Sequence, residues 1–139
     1  MRAAQRAHEG EVNVFFDVDG TIVGTWDGRL RPMVREVFEQ ILADGHHIYI
    51  WSGVGLRWHE VEEHDLRSLV VTCFHKPLYD HHRQLGPLGV TVRPDFVIDD
   101  HPQVVAAFGG VTVKPFYTYD PHDREMERVY RVLSERERA

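Results

Sequence analysis

Five short apolar runs, spaced along the chain with helix signals between them, limit what this sequence can fold into. They are VNVFF at 12–16, HIYIW at 47–51, LVVTC at 69–73, DFVI at 95–98 and VTV at 111–113. Each is nearly continuous rather than alternating, the pattern of strands covered on both faces in a mainly parallel sheet. Between the first two, PMVREVFEQILADG opens with Pro32, sets Val34, Val37, Phe38, Ile41 and Leu42 on one face, and stops at Gly45, which predicts a helix. LRWHEVEEHDLRSL and HPQVVAAFG predict further helices, and DREMERVYRVLSERERA predicts an amphipathic one at the end. Helices alternating with buried strands give an α/β fold, a doubly wound three-layer sandwich of Rossmann-like type. Its ligand site is expected at the carboxyl ends of the strands. At 139 residues, the chain is read as a single domain spanning 1–139.

Polar residues punctuate those strand ends. Asp17 and Asp19 follow the first strand in VFFDVDGTIVG, Ser52 and Gly53 follow the second, Lys76 the third, and Asp99 with Asp100 the fourth. Carboxylates so close together repel one another and resist leaving water, so a fold keeps them where a cation sits among them or where chemistry needs them. Oxygen donors with a single lysine suit Mg²⁺ better than zinc. A carboxylate beside Mg²⁺ and a phosphoryl group can act as nucleophile, and a second one two residues on can protonate the leaving oxygen and then activate water. Gly20 allows a sharp turn that aims backbone N–H groups at phosphate, while Ser52 and the Gly53 amide supply further donors. Lys76 offsets negative charge.

DVDGT, the serine of WSG, the isolated Lys76 and the DD pair resemble, in order, the four motifs of the haloacid dehalogenase superfamily, over residues 12 to about 116. The resemblance implies Asp17 as nucleophile, Asp19 as general acid/base and Ser52 and Lys76 as catalytic partners. Substrate would be held by Val18, Gly20, Ser52, Gly53 and Lys76. Mg²⁺ would be held by Asp17, the Asp19 backbone carbonyl and the Asp99–Asp100 pair, with Asp100 favoured as the direct ligand. The aspartate at 19 points to phosphoryl transfer rather than dehalogenation. Family members usually insert a cap domain, and here only a short flap at about 24–31, with WDG as a hairpin turn, separates the first motif from its helix. A small capless member is therefore expected, a Mg²⁺-dependent phosphomonoester hydrolase working through an aspartyl-phosphate. Its partner is a phosphorylated substrate that is large, or else the site is covered by a second subunit in a homo-oligomer.

Each residue also has a plainer reading. Asp17 and Asp19 could be a solvated turn, Ser52 a helix N-cap, Lys76 a surface lysine; Lys114, the only other lysine, rivals Lys76 for the cationic role. The adjacent histidines of YDHHRQ read as solvated loop residues rather than ligands. His75 and His101 flank the site without an assigned role; Trp51 reads as core, and Trp26 on the flap as a ring that could stack on substrate. A net charge of −6 argues against nucleic acid, though a 3′-end nucleic-acid phosphatase of the same fold stays open as the alternative. A phospho-acceptor receiver domain would carry its aspartate after the third strand, where CFHK stands, and a silent interaction domain does not call for the full motif set. A single Cys73, no leader-like opening and no apolar run of spanning length read as a cytoplasmic protein without membrane contact.

Overall fold

The computed structural model describes residues 10–137. Its strands are β1 (Asn13–Phe16), β2 (His47–Ser52), β3 (Thr72–His75), β4 (Phe96–Asp99) and β5 (Gly110–Thr112). All neighbours pair in parallel, in the order β3-β2-β1-β4-β5. The helices are α1 (Val34–Ala43), α2 (Trp58–Glu63), α3 (His81–Gln84), α4 (Pro102–Phe108) and α5 (Glu125–Glu137), with a 3₁₀ turn at Arg67–Leu69. The fold is thus α/β, a five-stranded all-parallel sheet flanked by helices in a Rossmann-like sandwich. No helix among the described residues is long and apolar enough to cross a membrane.

Alternation along each strand builds two cores. Val14, Phe16, Ile48, Ile50, Phe96 and Ile98 face α1, α2 and α5, while Phe15, Tyr49, Trp51 and Val97 face α4 and the 85–92 segment. On α1, Val34, Val37, Phe38 and Ile41 are buried, each contributing about 1.5–3 kcal/mol relative to exposure. Trp51 is fully buried, and Cys73 is buried in the same sheet, its thiol pushed up to about 11 by that burial. The chain goes from β1 to β2 and β3 on one side, then returns across the sheet to β4 on the other side of β1. The carboxyl ends of β1 and β4 therefore flank a switch point, where open α/β sheets bind ligands.

Several boundaries differ from the sequence expectation, most of them for a local reason. The first helix starts at Val34 rather than Pro32, because Met33 takes a left-handed backbone (φ 71°) and Val37 N–H makes its bond to Met33 O. Its end is as expected: Gly45, at φ 93°, donates to Leu42 O while His46 N–H reaches back to Ile41 O, a Schellman ending. The helix expected over 56–69 ends at Glu63. Asp65 is left-handed (φ 57°), with Asp65 N–H on Glu62 O and Leu66 N–H on Val61 O, and this second Schellman ending turns Leu66 into the core. The 3₁₀ turn then uses up 67–69, so β3 begins at Thr72 and leaves Val71 exposed. The fifth strand is shifted by one residue, to Gly110–Thr112.

Candidate active site

The site is assembled at the carboxyl edge of the sheet. Asp17 leaves β1 with its N–H bonded to Ile98 O (3.0 Å), which locks its backbone beside β4. Its carboxylate is buried and accepts two bonds, from Lys76 Nζ to Oδ1 (3.0 Å) and from Thr21 Oγ1 to Oδ2 (3.0 Å). Lys76, also buried, donates to Asp99 Oδ2 at 2.9 Å and so bridges β1, β3 and β4. Asp99 is fully enclosed, and its other oxygen accepts from the His101 N–H at 2.9 Å and lies 3.1 Å from His101 Nδ1. Asp100 is partly open, with Oδ1 3.2 Å from His101 Nδ1 and 3.5 Å from the Thr21 hydroxyl.

Two buried carboxylates share one ammonium here, with Asp100 beside them, and negative charge is in excess. Burial, with Asp99 beside it, pushes Asp17 up to about 7, and Lys76 offsets only part of this. Burial alone would lower Lys76, but Asp17 and Asp99 outweigh it, so its ammonium is held above the ordinary value and stays charged. A hard cation would restore the balance. One ligand atom from each of Asp17, Asp99, Asp100 and His101 can be chosen so that all lie within 4.8 Å of one another. Asp99 has its oxygens committed to Lys76 and His101, whereas Asp100 is more open. The Asp19 carbonyl accepts no hydrogen bond among the described residues, and these donors fit a divalent ion that prefers oxygen.

Compared with models of protein families and with curated protein sequences, the chain matches none.

Every residue singled out at the strand ends lies in this region, though not always in the expected pose. The Gly20 N–H itself donates to Val23 O (2.8 Å). The N–H groups of Val18, Asp19 and Gly53, by contrast, have no acceptor among the described residues. Gly20 is needed for another reason. It sits at φ 81°, and a Cβ there would lie 2.6 Å from Asp100 Oδ2 and 3.1 Å from Thr25 Oγ1. Ser52 does not cap α2 with its side chain; its buried oxygen accepts from Val54 N–H and Arg57 Nη1, both at 3.2 Å. A Cβ on Gly53 would meet Leu78 at 2.6 Å, so the second and third strand exits abut. His75 is exposed at the end of β3. Lys114 is exposed too, its backbone carbonyl tied to Arg31 and its N–H to Glu125, so Lys76 is the buried cation of the cluster.

Two arginines escaped the sequence reading. Arg57, just before α2, grips the Asp19 carboxylate with both terminal nitrogens (2.6 and 2.9 Å), while its Nε donates to Glu60 at 2.9 Å. These bonds, Asp19 foremost, hold its guanidinium above the ordinary value, and Arg57 lowers Glu60 in turn. Arg31 is almost fully buried. It donates to Asp123 (2.8 and 2.9 Å), to Thr21 O (3.1 Å) and to Lys114 O (2.8 Å), joining the loop after Asp17 to the segment before α5. Neither had a motif to mark it; only the spacing of Arg57 from Glu60, three apart at a helix start, was a visible signal.

The flap is held down along its length. Val23 bridges Leu30 in antiparallel fashion, as the hairpin reading expected. Thr25 N–H and Trp26 N–H donate to Phe116 O and Tyr117 O (3.0 and 2.9 Å), and Asp27 accepts from Tyr119 N–H. Trp26 is largely exposed and stacks on Tyr117 with ring centroids 4.8 Å apart.

Proposed function

We propose that this chain is a Mg²⁺-dependent phosphomonoester hydrolase, a capless phosphatase-type member of the haloacid dehalogenase superfamily. One observation carries the reading most: Lys76 bridges Asp17 and Asp99 at the switch point, with Asp100 beside them and Asp19 two residues on. A solvated turn would leave these carboxylates in water, whereas Asp17 and Asp99 are enclosed.

Asp17, Asp100 and the Asp19 carbonyl would hold the ion, with Asp99 and His101 behind them. Bound Mg²⁺ supplies the positive charge that keeps Asp17 ionised and draws electron density from the phosphoryl oxygens. In the reaction, an Asp17 oxygen bonds to phosphorus as the bond to the leaving oxygen breaks, and Asp19 gives that oxygen a proton. Asp19 then takes a proton from water, whose oxygen attacks the phosphorus of the aspartyl-phosphate. Inorganic phosphate leaves and Asp17 is restored. Lys76 offsets charge on Asp17 throughout, and the Ser52 hydroxyl with the N–H groups of Val18, Asp19 and Gly53 is available to phosphoryl oxygens.

The exposed Trp26–Tyr117 stack favours a second reading within the same chemistry, in which the substrate carries a ring, as a nucleic-acid 3′ end does. The test is a panel of phosphometabolites and 3′-phosphorylated oligonucleotides assayed with Mg²⁺ and with EDTA. Metal-dependent phosphate release that disappears in Asp17→Asn is the expected result. Release by Asp17→Asn, or none from wild type on any substrate, overturns the proposal.

A further inference from the structure

The motif residues account for most of the polar side chains at the sheet edge, but not for Arg57. Its guanidinium spans the two groups that, in the proposed reaction, stand on either side of the phosphoryl group. Nη1 and Nη2 donate to Asp19, and Nη1 also donates to the Ser52 oxygen at 3.2 Å. The side chain is mostly buried, at 13% exposure, while Asp19 is 42% exposed. An ion pair serving only to attach α2 to the β1 loop would not need the serine.

We propose that Arg57 is a substrate-binding residue, whose two terminal nitrogens exchange the Asp19 carboxylate for the phosphoryl oxygens of the substrate. The inference rests on the hydrolase reading above and assigns one more group to the same site.

Three features support it. A guanidinium is a planar fork that bonds carboxylate or phosphoryl oxygens in the same two-point manner, so the exchange conserves its hydrogen bonds. Glu60 holds Nε at 2.9 Å, which anchors the stem while the terminal nitrogens change partners. Asp19 in its clamped form has both oxygens accepting from Arg57, an arrangement that leaves neither turned to a leaving oxygen. Arrival of a phosphoryl group at Ser52 thus removes the clamp and frees Asp19 to face the ester oxygen. Binding and readiness for chemistry become one event.

The experiment uses the full chain with Mg²⁺, comparing wild type, Arg57→Gln and Arg57→Lys. Three quantities are read: competitive inhibition by inorganic phosphate, kcat and KM on an aryl phosphate, and thermal unfolding. Losing a charge-assisted pair of bonds to phosphate should weaken phosphate inhibition roughly 10- to 100-fold in Arg57→Gln. KM should rise with it, and Arg57→Lys should fall between the two, since it keeps the charge but loses the fork. A structural role would instead lower the unfolding temperature and leave phosphate inhibition unchanged in the folded fraction. Phosphate inhibition in Arg57→Gln within twofold of wild type overturns the inference while the hydrolase reading stands. Should Arg57→Gln not fold, the same twofold criterion applied to Arg57→Lys decides. Wild type that neither binds phosphate nor turns over any phosphomonoester overturns the hydrolase reading itself, and this inference with it.

Discussion

Asp17→Asn should make the protein more stable as it makes it inactive. With its carboxyl pushed from 3.8 to about 7 in the folded chain, Asp17 is harder to ionise in the fold than in the unfolded state. A raised acid binds more protons when native, so stability is fully kept below the unfolded value and is lost as pH rises towards about 7. At 1.36 kcal/mol per unit, holding Asp17 in the metal-free fold costs about 4 kcal/mol at pH 8, where it is ionised, and about 2 at pH 5, where folding must take up a proton. Asparagine keeps the shape and carries no charge. Its carbonyl can accept from Lys76, and its amide can donate to Thr21 Oγ1, whose own proton turns to Asp100, 3.5 Å away. Urea unfolding in EDTA at pH 5 and pH 8 measures the difference. The variant should exceed wild type by several kcal/mol at pH 8, with the gap narrowing at pH 5 and also on adding Mg²⁺ to wild type. A gap below about 1 kcal/mol at pH 8, or one of equal size at both pH values, would refute the claim that burial and Asp99 disfavour the ionised Asp17.

Lys76→Met leaves Asp17 and Asp99 enclosed without their cation and should cost about 3–5 kcal/mol in urea unfolding at pH 8, less at pH 5 where Asp17 takes up a proton. Gly20→Ala forces a Cβ against Asp100 Oδ2 at a left-handed backbone and should cost about 1–3 kcal/mol while weakening Mg²⁺ binding by titration calorimetry; unchanged Mg²⁺ affinity would separate Asp100 from the metal. Arg31→Met strands Asp123 near its buried partner site and should destabilise by about 3–5 kcal/mol, read by the same unfolding assay. Asp19→Asn should lose least turnover on an aryl phosphate, whose leaving group needs no proton, and an equal loss on alkyl phosphates would count against an acid role.

Strand positions were legible because burial on both faces writes itself as unbroken apolar runs, and VNVFF, HIYIW and DFVI fell on β1, β2 and β4. The third run misled because Leu69 serves the core from a 3₁₀ turn and Val70 from the extended residue after it, neither from a strand, and apolarity alone does not separate those uses. Asp17, Ser52, Lys76 and the Asp99–Asp100 pair could be found because each follows a strand and the sheet gathers strand ends. Arg57 and Arg31 do not stand at a strand end. Their partners, Asp19 and Asp123, lie far away in sequence, and only the folded chain brings them together. Gly20 showed the limit of reasoning from residue type. Its turn was legible, but the direction of its N–H depended on where Val23 returned.

The Arg31 contact also bears on the order in which the molecule can be completed during synthesis. Asp17 and Thr21 leave the ribosome early, but the guanidinium that holds the Thr21 carbonyl takes its counter-charge from Asp123 and a further acceptor from Lys114, close to the last helix. A growing chain that has not yet reached Asp123 has a buried-type arginine without its counter-charge and an Asp17–Thr21 loop without its brace. Sheet strands β1 to β4 can pair before then, since their partners are already present. The loop carrying Thr21, and with it the hydroxyl that steadies Asp17, is therefore finished by residues made about a hundred positions later, and a half-made chain cannot hold Asp17 in its finished setting.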